Sequence, residues 1–107
     1  MEITYEEFKK MDLRVGKVVA VEEHPNADKL YLLTVDIGTE QRRLVAGIKP
    51  WYGKEDLIGK TVVVLANLGP KTIRGVESRG MILASLAGNS LAVLTTDREI
   101  PPGSPIS

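Results

Sequence analysis

The chain has 107 residues, 14 basic and 14 acidic side chains, 43% hydrophobic residues and no cysteine. That length suits one domain that folds without metals or disulfides, and the missing cysteine excludes thiol chemistry. No apolar run reaches the ~20 residues of a membrane span, and MEITYEEFKK is too charged for a signal peptide, so a soluble, cytoplasmic protein without membrane association is expected.

Ile3–Phe8 reads as a helix start. Thr4 suits the N-cap, Glu7 stands three residues later as a capping box requires, and Ile3 with Phe8 can form a hydrophobic staple. The helix is expected to end near Met11 or Asp12 and to cover one end of a sheet. Leu13 to Glu23 follows as a strand, with Gly16 expected at a bulge or bend. His24-Pro25-Asn26-Ala27-Asp28 is turn chemistry. His24 is the only histidine, which leaves no partners for a metal site or a nucleophile pair; it reads as a loop residue.

Leu30 to Ile37 is a second strand, turned at Gly38-Thr39-Glu40 into a third at Gln41 to Ile48. Arg42 and Arg43 are adjacent there, so only one of them can serve a given face. Trp51 to Ile58 reads as a short helix, Leu57 and Ile58 inward, closed by Gly59. Trp51 and Tyr52 read as packing residues.

Thr61 to Leu68 is a β-branched apolar strand, stopped by Gly69-Pro70. The next stretch, KTIRGVESRGM, sets Lys71, Arg74 and Arg79 among Gly75 and Gly80, with Ser78 and Met81 beside them. It reads as a strand or loop that holds cations, a hydroxyl and a thioether over a ligand, or as a polar hairpin joining two strands. Ile82–Leu86 and Leu91–Thr95 then form a hairpin of strands apolar on both faces, more than so small a domain can bury. A dimer interface would absorb the excess, and the tail Ile100–Pro105 is expected to be extended and to cross the partner. Five or more strands with one mid-chain helix point to an all-β class, a five-stranded OB-fold barrel with a short N-terminal helix and extra C-terminal strands, in one domain over 1–107.

The neutral sum conceals segregation. Residues 1–40 carry five basic and nine acidic groups, a net of −4, whereas residues 41–79 carry eight basic and three acidic, a net of +5. Such a field steers a polyanion although the total vanishes. The only aromatics are Tyr5, Phe8, Tyr31, Trp51 and Tyr52, none of them between Lys60 and Met81, and that shortage favours reading phosphate backbone and RNA shape over sequence.

Three ordered motifs carry a family resemblance: DLRVGKVV at 12–19, HPNADKL at 24–30, and VVVLANL with K-x-x-RGVESRGM at 62–81. They resemble the tRNA-binding domain family, which includes the C-terminal or β-subunit domain of methionyl-tRNA synthetases, free-standing structure-specific tRNA-binding proteins and endothelial-monocyte-activating-polypeptide-like domains. The resemblance implies a non-catalytic module that raises a synthetase's affinity for tRNA with little sequence selectivity. It implies a homodimer through the C-terminal strands and a methionyl-tRNA synthetase catalytic chain as a further partner, with no cofactor and no metal. Lys71, Arg74 and Arg79 would neutralise phosphates, Asn67 and Ser78 would give hydrogen bonds, and Met81 would lie against an unstacked base. Lys17 and Arg42 join them at matching strand positions. Glu77, of the wrong sign for phosphate, would orient Arg74 or Arg79 or bond backbone amides. The alternatives are a secretion-chaperone-like branch that binds peptides, the N-terminal domain of a phenylalanyl-tRNA synthetase β chain, which shares HPNADKL and RGVES, and a purely structural dimerisation domain.

Overall fold

The computed structural model describes residues 1–107. Helix α1 spans Tyr5–Lys9, with the capping box in place: Glu7 N–H donates to Thr4 Oγ1 at 3.1 Å, and Thr4 N–H donates to Glu7 Oε1 at 3.0 Å. It ends two residues earlier than expected. None of its residues is buried and Ile3 is exposed, so it covers little of the barrel.

Strand β1 (Leu13–Glu23) is the hub, and it is shared. Its first half pairs with β4 (Thr61–Leu65) and its second with β2 (Tyr31–Asp36), which pairs in turn with β3 (Gln41–Ala46). β7 (Met81–Ile82) joins the far side of β4, giving the antiparallel order β3-β2-β1-β4-β7. Serving two neighbours forces β1 to bend across the barrel. The register slips between Val18 and Ala20, not at Gly16, which stays paired with Val62. Gly16 answers a different demand. A Cβ there would stand 2.6 Å from Val35 Cγ1 and 2.9 Å from Val64 Cγ2, so the crossing is too close for any side chain.

The core lies inside this curl, from Val18, Leu33, Val35, Leu44, Val62 and Val64. Helix α2 (Lys54–Leu57) is shorter than the expected 51–58 segment because the chain first makes a turn, Trp51 and Tyr52 N–H both donating to Ile48 O. Gly53 then serves as N-cap, its N–H donating to Asp56 Oδ2 at 3.1 Å. Leu57 plugs the barrel end, fully buried, while Ile58 points outward, contrary to expectation. Tyr52 packs on the core, its hydroxyl accepting from Val93 N–H at 3.1 Å; Trp51 is partly exposed and donates to Asn89 O.

Beyond β4 come a small hairpin, β5 (Lys71–Ile73) with β6 (Val76–Ser78), and a second, β8 (Ala84–Ala87) with β9 (Ser90–Val93). The β8–β9 pair is not buried on both faces: β8 is exposed throughout, Leu86 at 62%, and in β9 only Val93 is buried. The tail packs on its own barrel. Gly103 N–H donates to Val15 O at 2.7 Å, Val15 N–H to Ser104 O at 2.9 Å and Ile106 N–H to Leu13 O at 2.9 Å.

Candidate nucleic-acid interface

The basic stretch becomes a tight hairpin whose turn residues, Arg74 and Gly75, have φ of +53° and +88°. Positive φ at both central positions is the signature of a type I′ turn, whose twist matches the flanking strands. Arg74 is the only non-glycine residue with positive φ, so a cation is held at the tip in a conformation that costs about 1 kcal/mol.

The turn that follows β1 braces this tip. Asn26 N–H donates to His24 Nδ1 at 3.0 Å, which leaves the His24 proton on Nε2, and that nitrogen donates to Ile73 O at 2.9 Å. Asn26 Nδ2 donates to Arg74 O at 3.0 Å, and Arg74 Nη2 returns a longer bond to Asn26 O at 3.4 Å. His24 is therefore a buried strut rather than a plain loop residue. Sequence reading missed it and Asn26, although both stand in the HPNADKL motif.

Ser78 and Arg42 fasten the base of the hairpin, and Asn67 ties the end of β4 to the segment after α1. Ser78 is buried, its hydroxyl accepting from Val45 N–H at 2.9 Å and donating to Gly80 O at 3.2 Å. Arg42 donates through Nη1 to Ala66 O at 2.8 Å and Arg79 O at 3.3 Å, and pairs through Nε with Glu40 at 2.9 Å. Asn67 accepts from Asp12 N–H at 2.9 Å and donates to Lys10 O at 2.6 Å. Against expectation, the Ser78 hydroxyl is buried and spent inside the protein, whereas Asn67 is exposed and keeps one Nδ2–H beyond its two internal bonds. Arg42 is engaged through Nε and Nη1 and less open than its neighbour. Its side chain is 18% exposed, against 54% for Arg43, which faces Glu22 across the surface at 3.5 Å.

The remaining cations differ in their surroundings. Arg14, Arg42, Arg43, Lys49, Lys54 and Arg98 each face a carboxylate; of the eight basic residues that face none, Lys71, Arg74 and Arg79 are exposed and gathered on the hairpin and its exit. Glu77 is exposed and pairs with neither arginine, contrary to expectation. Beneath the hairpin lies an open recess of about 210 Å³, walled by Val45, Leu68, Ile73 and Met81, with Lys71 among its lining residues. Lys17 is not part of this group. It is exposed on β1, opposite Thr61 at the start of β4, beside a separate recess of about 460 Å³ shared with Ile100, Pro101 and Pro102.

Two further ion pairs mark the ends of β1. Arg14 grips Asp12 through two bonds, Nε to Oδ1 at 2.9 Å and Nη2 to Oδ2 at 2.8 Å. That fork holds the Asp12 carboxyl below the usual carboxylate range and raises the Arg14 guanidinium. At the other end of β1, Lys49 pairs with Glu23 and lowers it in the same way.

A braced hairpin of unpaired cations over an apolar recess is suited to an anionic ligand with a flat apolar part. The family model described as "Putative tRNA binding domain" matches residues 13–105. The chain belongs to this family. It is 53% identical over 104 residues to a methionine–tRNA ligase of Thermococcus onnurineus, an alignment covering 97% of this chain and 14% of the ligase. The chain thus spans about one seventh of the curated relatives it matches. Among solved structures, a MetRS-related protein from Pyrococcus horikoshii superposes with a TM-score of 0.91 at 34% identity, each chain covered completely. The CsaA chaperone of Picrophilus torridus superposes with a TM-score of 0.91 at 32% identity, covering 99% of this chain and 100% of that one.

Proposed function

We propose that this chain is a non-catalytic tRNA-binding module that works in the cytoplasm with methionyl-tRNA synthetase, as its C-terminal part or a companion subunit, and raises its affinity for tRNA. The observation that carries the reading is the set Lys71, Arg74 and Arg79: three exposed cations without carboxylate partners, on a hairpin fixed by His24 and Asn26. Their phosphate contacts position the RNA but select no sequence, and Met81 meets a base at the recess. Arg42, Asn67 and Ser78 serve the site by shaping it, and Lys17 lies apart as a peripheral contact for a longer RNA. The exposed β8–β9 hairpin, with Leu86 at 62% and Leu94 at 43% exposure, is the surface through which two copies would pair.

The test is a titration of folded tRNA against an unstructured RNA of equal length over a range of salt. Folded tRNA is expected to bind more tightly, with log affinity falling about 0.7–0.9 per phosphate contacted in log salt. Equal binding of both RNAs would leave a general single-strand binder. The likeness to a CsaA chaperone, together with the apolar recess, favours a second reading in which the ligand is a peptide. Failure of both RNAs with binding of an apolar peptide would establish it.

A further inference from the structure

We propose that the recess beneath the β5–β6 hairpin seats one extruded nucleobase of the bound RNA; the inference rests on the RNA-binding reading above and adds the part of the ligand that this site takes. The walls are apolar, from Val45, Leu68, Ile73 and Met81, while Lys71 also lines the recess and Arg74 and Arg79 stand on the same hairpin and its exit. Unpaired cations beside apolar walls match a nucleotide, whose phosphate is anionic and whose base presents a flat face with little need of polar partners. A free apolar ligand leaves the cations unused, and a phosphate alone leaves the walls unused. The recess holds about 210 Å³, several times the ~30 Å³ share of one water, which is room for a single ring system.

The same geometry sets its selectivity. The one side-chain hydroxyl of the recess, on Ser78, is spent on Val45 N–H and Gly80 O, which leaves the flexible Lys71 as the only side-chain polar group of the lining to meet the edge of a base. The seat takes whichever base the RNA fold presents unpaired beside closely spaced phosphates. The domain then recognises a structured RNA by where a nucleotide is turned out of its stack, in addition to the path of its backbone.

The experiment uses the full chain and tRNA transcripts carrying 2-aminopurine at one unpaired position at a time, with matched transcripts that are abasic there. Because the walls carry no aromatic ring, a seated 2-aminopurine loses its stacking and brightens on binding. The expected result is brightening at one position, an affinity loss of about fivefold for the abasic transcript at that position, and an unchanged salt slope. Leu68→Ala with Met81→Ala abolishes the brightening and gives a similar loss. Both residues are more than 40% exposed, so the fold survives, and a thermal melt verifies it. If tRNA binds with its salt slope but no position brightens or responds to base removal, this proposal is overturned while the tRNA-binding reading stands. If no RNA binds, both fall. If an apolar peptide displaces the 2-aminopurine signal without displacing the RNA, the recess belongs to peptides and the base seat is overturned.

Discussion

Ser78 stands in for a rung of the β-sheet opposite Val45. Where β3 meets the β6–β7 segment, Val45 N–H finds no backbone carbonyl and donates instead to the Ser78 hydroxyl at 2.9 Å, which passes its own proton to Gly80 O. The barrel therefore closes through a side chain. Ser78→Ala leaves a part-buried N–H unpaired and is expected to cost about 1–3 kcal/mol, read by urea denaturation. The loss should appear with or without RNA present, since it concerns the fold.

Removing the tip cations should do the opposite. Arg74→Ala with Arg79→Ala keeps a Cβ at both positions, so backbone strain and stability stay within about 0.5 kcal/mol of the parent. Affinity for tRNA should fall and the log–log salt slope should drop by about two. Arg42→Ala is the counterpart: it frees Ala66 O and Arg79 O, lowers the melting temperature, and leaves the slope nearly unchanged.

Arg74 also allows charge and backbone to be separated. At φ +53° a glycine carries no Cβ penalty, so Arg74→Gly should raise stability by up to about 1 kcal/mol while weakening RNA binding. A stability that falls in calorimetry would show that the guanidinium contact to Asn26 O outweighs the strain.

His24→Ala removes the strut to Ile73 O and the acceptor for Asn26 N–H. The barrel core is untouched, so global stability should drop only by about 1 kcal/mol. Trypsin, which cuts after Arg74 and Arg79, should then nick the hairpin much faster than in the parent, and mass spectrometry of the fragments locates the cut.

The Asp12–Arg14 fork makes a pH prediction. Asp12 titrates lower in the folded state than its ordinary value of 3.8, so the contribution is fully present above that value and is lost as pH falls through the lower, folded one. Asp12 is 38% exposed and solvent screens the pair, which limits its worth to about 1 kcal/mol or less. Asp12→Asn should therefore be slightly less stable than the parent at pH 7 and converge with it in strong acid, as followed by denaturation midpoints.

Local chemistry made much of this legible in advance. The capping box of Thr4 and Glu7, the limits of β1, the turn at Gly38 and the family motifs are all written within a few neighbouring residues, and each formed as its chemistry dictates. The misread features depend on partners distant in sequence. Asn67 and Ser78 look like free donors until Lys10 and Val45 arrive beside them, and His24 looks like a turn residue until Ile73 does. Gly16 was expected to bend the strand, whereas Val35 and Val64 crowd it from the neighbouring strands. Gly103 shows the same limit, since its φ of +90° and the 2.7 Å approach of its Cβ position to Ile37 O tie the tail to a turn far upstream.

The seam at Ser78 has a dynamic consequence. β1 with β2 and β2 with β3 each align six residue pairs, but the closure between β3 and the β6–β7 segment is held by three bonds, Val45 N–H to Ser78, Arg79 N–H to Arg43 O and Arg42 Nη1 to Arg79 O. Opening there breaks fewer bonds than opening the β1–β2 or β2–β3 ladder, so the amides of Val45 and Arg79 exchange with solvent before those of these two ladders. The ligand-bearing hairpin is one lip of that seam. An RNA that spans the hairpin and β3 acts as a staple across it, slowing exchange at both amides and raising the melting temperature with RNA concentration.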